Sequence, residues 1–457
     1  MKTKIIFATA ISSFFILHSA LGQGALTPPG APAPLMKSLN QIEPRTPVSS
    51  APFVITNPGA YYLTANLTIT SGNAIVIATN GVSLDLNGFT LKSSETSPAG
   101  YAVLINSGLH NLTIVNGFIE GGITNNGSGV YSGPGFFGGI SVAPFTTFPL
   151  NARISGVSVT GCQNYGIYVG QGDATVVESC TVRVMGGSGI VASTVRSCLA
   201  KDCGGTAILG TQVSDTRGEG GGYGVYAMSA NNCYGFSPGS TGLNASTAEN
   251  CVGVSIAGTG LDAGNANNCS GFSTNSIGLF ANTANNCYGS STNYTGLDAA
   301  YAANNCAGYS IAGAGLVAGT ATGCYGYSNG SGTGLYLSGN GINCSGTSNS
   351  GFGLYGYGNL NNCSGYSSTS TGLGAYDTAT GCSGYSNGSG DGLDAYIANN
   401  CTGYAQGGGN GVYAWIATGC YGISYSGTAV RGIIASGCVA QTTYGTPYAV
   451  SHNVNSF

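Results

Sequence analysis

The sequence predicts an all-β chain: a parallel β-helix solenoid of about 19 short rungs, with one single-stranded coil of backbone. Three observations predict it. Cys233, Cys251, Cys269, Cys287, Cys306, Cys324, Cys344, Cys363, Cys382, Cys401, Cys420 and Cys438 recur every 18 to 20 residues. The residue before each is Asn or Gly, as in Asn268-Cys269 and Gly381-Cys382. A Gly-Leu step followed two residues later by Ala repeats in the same register, as in Leu261 and Ala263 or Leu393 and Ala395. A fixed short period means that each repeat buries its apolar face only against its neighbours.

Residues 1–22 read as a secretory signal. Lys2 and Lys4 precede the apolar run Ile5 to Leu17, and Ala20-Leu21-Gly22 supplies small residues before Gln23. The expected location is therefore the medium, the cell surface or the periplasm. The apolar run is short for a bilayer crossing, so no membrane span is expected. Residues 23–52 form a Pro-rich lead-in, with Pro28, Pro29, Pro32, Pro34, Pro44 and Pro47. Within it Leu35, Leu39 and Ile42 sit at helical spacing, which predicts a short helix capping the open end of the coil.

Residues 53–220 read as rungs with longer loops. Val82-Ser83-Leu84-Asp85-Leu86 and Leu112-Thr113-Ile114-Val115 alternate and are β-branched, as strands should be. Residues 221–450 hold the regular repeats, and 451–457 form a tail. Aligned backwards from Cys233, the cysteine column is occupied by Thr216, Cys198, Cys180, Val157, Phe118, Phe89 and Leu67. At the ~4.8 Å spacing of strands this gives a rod roughly 90 Å long. The position before the column holds mainly Asn, Gly, Ser and Asp, from Asn66, Gly88, Gly117 and Gly156 onwards. Asn, Gly and Asp tolerate the left-handed backbone region, so each rung is expected to turn a corner there.

This pattern resembles the right-handed parallel β-helix, or pectin-lyase-like, repeat family of secreted bacterial proteins. The resemblance is carried by Val82 to Phe89, by Asn111 to Phe118 and by the Gly-Ile and Gly-Leu rungs that follow. It implies a right-handed coil over roughly residues 53–450. It implies little about activity, because that fold carries lyases, hydrolases, adhesins and inert scaffolds alike.

Composition narrows the functional classes. The chain has 11 basic and 15 acidic residues and a net charge of −4, which provides no electrostatic footprint for nucleic acid. Sixteen cysteines in an exported protein usually mean disulfides. Here most rungs hold one cysteine, and parallel stacking keeps vertical Cβ pairs beyond the usual ~3.8 Å. Packed thiols are the expected state, since buried Cys behaves as a small hydrophobe. Cys162 and Cys203 lie off the column, with Met185 at the equivalent place between them. No Cys-x-x-Cys pair or His cluster suggests zinc, and no cofactor is expected. Gly388-Ser389-Gly390-Asp391-Gly392-Leu393-Asp394 looks like one calcium-binding Gly/Asp unit, but such sites need successive copies.

Two sets of side chains are candidates for function. One is aromatic. Tyr357, Tyr376, Tyr396 and Trp415 fall three residues after the Leu or Val of four successive rungs. Tyr366, Tyr385 and Tyr404 fall three residues after the column cysteine, as do Phe236, Phe272, Tyr309 and Tyr327. Flat aromatic stripes on a Ser/Thr/Asn-rich surface suit stacking against sugar rings. Ring stacking between strands explains the same columns without any ligand. The other set is charged: Arg153, Asp173, Glu178, Arg183, Arg196, Lys201, Asp202, Asp215, Arg217 and Glu219. These residues supply the base and cation of a lyase, or the two carboxylates of a glycosidase, with residues 121–150 overhanging them as a lid. A solvated charged face is the plainer account.

The resulting expectation is a non-enzymatic β-helix scaffold or adhesin-like surface protein with a polysaccharide or cell-surface glycan as partner. The alternative is a polysaccharide lyase or glycoside hydrolase working over residues 153–219. The oligomeric state is left open.

Overall fold

The computed structural model describes residues 43–454, apart from Thr146 and Asp173. The expected signal segment, the helix over Leu35 to Ile42 and Asp173 therefore lie outside the described residues. Within them the chain is a parallel β-helix of about 21 turns, roughly 100 Å long at the ~4.8 Å spacing of strands. Forty-five strands form one continuous ladder, and only Thr124–Asn125 and Tyr131–Ser132 stand apart as an antiparallel pair. The coil begins inside the expected lead-in. Thr46–Val48 pairs with Gly59–Leu63, and Val48 is fully buried. At the other end Thr446–Val454 pairs with Thr428–Ser436. The cysteine alignment began only at Leu67, so it falls about two turns short.

A regular rung consists of a long strand, a one-residue corner, a short strand and a loop. In Leu261–Asn267 the side chains of Leu261, Ala263 and Ala266 point inward. Asn268 then turns the corner, Cys269 is buried, and Ser270–Ser273 buries Gly271 and Ser273. Each of these positions stacks on its equivalent one rung away: Leu261 on Leu279, Ala263 on Ala281, Gly271 on Gly289. The interior is thin because the two sides of a rung nearly touch. A Cβ on Gly271 would lie 2.2 Å from the carbonyl oxygen of Gly278. Only glycine fits there, which accounts for the glycine at this position of every short strand from Arg217–Gly220 to Tyr421–Ser424.

The corner column behaves as its residue types demand. From Ser179 to Gly437 every member has positive φ, between 51° and 64°, with Asn at eight of the fifteen positions. The alignment fails in two earlier rungs. Asn66 has no positive φ, and Leu67 pairs with Leu91, two residues past Phe89. In Asn116-Gly117-Phe118 it is Asn116 that takes the bend, with φ 58°. Gly117 pairs with Val157 inside the coil, where a Cβ would lie 2.3 Å from the Leu86 Cβ. Phe118 consequently points outward and is 51 % exposed.

Two ladders of small polar groups hold the rungs. All sixteen cysteines are free and buried. Their thiols point back at backbone carbonyls, as from Cys251 to Glu249 at 3.1 Å and from Cys269 to Asn267 at 3.2 Å. The second ladder is serine. Ser310 Oγ donates to the Tyr294 carbonyl of the previous rung at 2.5 Å and accepts from the Gly313 amide at 2.8 Å. Ser255, Ser273, Ser291, Ser348, Ser367 and Ser424 repeat both bonds. Each serine thus fixes its own loop and ties it to the loop beside it.

Candidate functional site

The register defines one outward column of the short strands. It runs Lys92, Glu120, Thr160, Arg183 and Lys201, then continues through Glu219 to Phe236, Val254 and Phe272. Charges occupy its early rungs and rings its later ones. Arg183 sits directly beside Lys201.

The charged residues divide into two clamps. Glu178 is mostly buried and lies between Arg153 and Arg196, with Arg196 Nε at 2.6 Å. Burial alone would raise its pKa, but hydrogen bonds from Arg196 and then Arg153 outweigh burial and hold it below the usual carboxylate value. Glu219 is held in the same way. Arg217 Nε lies 2.6 Å away and Lys201 Nζ 3.3 Å away, and together they overcome burial to lower its pKa. Arg217 also lies over the Tyr234 ring, 4.4 Å from its centroid. Asp215, at a corner, accepts from Asn232 Nδ2 at 3.1 Å.

The segment expected to overhang this region does so through its hairpin. Asp202 occupies a bulge with φ 56° and accepts from Tyr131 Oη at 2.8 Å and Asn125 Nδ2 at 2.6 Å. Asn125 and Tyr131 thereby roof a cavity of about 550 Å³ whose walls include Lys201, Asp202, Glu219 and Phe236. The structure thus brings Lys201, Asp202 and Glu219 together, while Glu178 belongs to a separate ion-pair cluster on the strand before the corner.

The aromatic residues also divide. Tyr366, Tyr385 and Tyr404 stack in a continuous pile, with centroids 5.3 and 4.7 Å apart and planes within 15° and 5° of parallel. Their faces cover one another, as do those of Tyr309 and Tyr327 at 5.4 Å. Rings used in this way stabilise the coil and leave mainly their edges to solvent.

The second stripe is different. Tyr357 and Tyr376 are tilted by 41°, and Tyr396 and Trp415 by 31°, so their faces remain partly open. Tyr376 is 67 % exposed and Trp415 50 %. Beside this stripe runs a column in which Tyr355, Gly374, Asp394 and Tyr413 follow one another. Gly374 leaves room that the Tyr355 ring fills: a Cβ there would lie 2.7 Å from Tyr355 Cδ2. The result is a cleft of about 230 Å³ walled by Tyr355, Tyr376, Tyr396, Tyr413 and Trp415, with Asp394 in its lining.

Asp394 was missed by the sequence reading. Partial burial, reinforced by the nearby negative charge of Asp391, pushes its pKa up to about 6. Asp391 itself accepts from the Asn410 amide at 2.6 Å and from its Nδ2 at 2.8 Å. The available signal was register: Asp394 follows Leu393 just as Tyr355 follows Leu354 and Tyr413 follows Val412. Comparison of the chain with protein-family models, curated proteins and solved structures gives no match.

Proposed function

We propose that this chain is an exported, non-enzymatic solenoid scaffold that binds carbohydrate at its Tyr376–Tyr396–Trp415 face. The observation that carries the reading is the cleft with open, tilted rings on a rigid ladder. Stacking of pyranose faces on aromatic rings needs exposed planes held in place before the ligand arrives. Stripe and ladder provide both, since each ring stands on a strand bonded above and below. Export rests on residues 1–22, and the repeat's likeness to secreted β-helix proteins agrees with it.

A lyase or hydrolase acting under the Tyr131 hairpin is the second reading, favoured by the cavity there. Against it stands the ionisation of Glu219. Glycoside cleavage requires one protonated carboxyl as acid, whereas two cations keep this one charged. A polysaccharide panel separates the readings. Binding without new reducing or unsaturated ends, lost when Tyr376, Tyr396 and Trp415 become Ala, supports the scaffold. Chain cleavage abolished by Lys201→Ala or Glu219→Gln would replace it with the enzyme.

A further inference from the structure

The aromatic cleft has a chemical bias that stacking alone does not require. Among the described residues, Asp394 has no hydrogen-bond or ion-pair partner. Asp262 and Asp391 have one, from Asn244 Nδ2 at 3.1 Å and from Asn410. Asp298, at the same strand position as Asp394, also lacks one, but it does not line the cleft. The nearest cation in the register, Arg431, lies over the Tyr413 ring at 5.7 Å and does not line the cleft. A partly desolvated carboxylate without a partner costs stability and is best matched by an incoming positive charge. The rings around it add to that match, because the faces of Trp and Tyr attract cations.

Building on the carbohydrate reading, we infer that the cleft selects glycans bearing a protonated amine, such as 2-amino-2-deoxy sugars, with Asp394 receiving the ammonium. The sugar face stacks on Trp415 or Tyr396 while the ammonium donates to the Asp394 carboxylate. A neutral hydroxyl or acetamide at the same carbon gains the stacking and forgoes the charge pairing.

Calorimetric titration with a β-1,4-linked glucosamine tetramer, its N-acetylated counterpart and cellotetraose tests this near neutral pH. The amino tetramer is expected to bind about tenfold more tightly than the other two. Asp394→Asn, which keeps the side-chain shape, should level the three affinities, and Trp415→Ala should weaken all of them. A thermal melt of each variant confirms that the coil is intact. Equal affinities in the parent, or selectivity that survives Asp394→Asn, overturn the inference while leaving glycan binding in place. Absence of heat with all three also overturns it, and the polysaccharide panel then decides the broader reading independently.

Discussion

Tyr131 donates its hydroxyl to Asp202 at 2.8 Å, joining residues 71 apart in sequence and fastening the only antiparallel hairpin among the described residues onto the coil. Burial first, and then the Asp202 carboxylate, push the Tyr131 phenol well above its ordinary pKa, so this donor keeps its proton. Tyr131→Phe removes one of two side-chain donors to Asp202, a loss of about 1–2 kcal/mol in docking. Limited proteolysis within residues 126–130 should accelerate several-fold, by roughly the ratio that energy implies. The melting of the rod should hardly change, because the hairpin lies outside its ladder. Unchanged protection of the hairpin would show that other contacts hold it.

The serine ladder makes a sharper claim about stability. Ser310→Ala deletes a donor to the Tyr294 carbonyl and an acceptor for the Gly313 amide in one step. The expected cost is about 1–3 kcal/mol, because both backbone groups lose a partner beside a buried position. Chemical denaturation checks it. Ser328→Ala, which deletes only the bond to the Gly313 carbonyl at 2.8 Å, should cost less. Equal costs would mean that the loop amide finds another acceptor.

The cysteine ladder predicts a chemical count. All sixteen thiols should react in denaturant and almost none in the native protein. Burial pushes Cys162 and Cys203 up to about 12, which leaves negligible thiolate at neutral pH. Fewer than about half of the thiols free after denaturation would contradict the packing account.

Asp394 links function to pH. Its folded pKa of about 6 lies above its ordinary 3.8, so between those values the native state binds more protons than the unfolded one. Stability from this group is therefore present at low pH and lost as pH rises through about 6. Allowing for solvent screening, Asp394→Asn should stabilise the protein at neutral pH by the order of 1 kcal/mol and flatten that pH slope. Asp391, Arg431 and Tyr355 surround the titration electrostatically and remain in the variant. Melting curves from pH 4 to pH 8 measure it. An unchanged slope would remove Asp394 as its source.

The sequence made most of this fold legible because the coil is one-dimensional. Asn268 before Cys269 identified a corner, and Leu261 with Ala263 identified the inward face, without any long-range information. The reading failed where a bend and a core glycine were adjacent. Asn116-Gly117 offers two residues suited to positive φ, and only contact with Leu86 decides that Gly117 lies inside. The site was half legible. Tyr376, Tyr396 and Trp415 were visible as a stripe, but the difference between them and the closed pile of Tyr366, Tyr385 and Tyr404 lies in ring tilt. Tilt has no signature in spacing. Asp394 escaped notice because Asp391 and Asp394 together looked like part of a calcium motif.

Trp415 provides the most direct measurement, since it is the sole tryptophan of the chain and stands in the wall of the cleft. A sugar stacked on it removes water from a ring that is now half exposed. Titration with a bound glycan should therefore shift tryptophan emission to shorter wavelength and reduce its quenching by acrylamide, with the same midpoint as calorimetry. A glycan that binds by calorimetry while the emission and quenching of Trp415 stay unchanged would contradict the account.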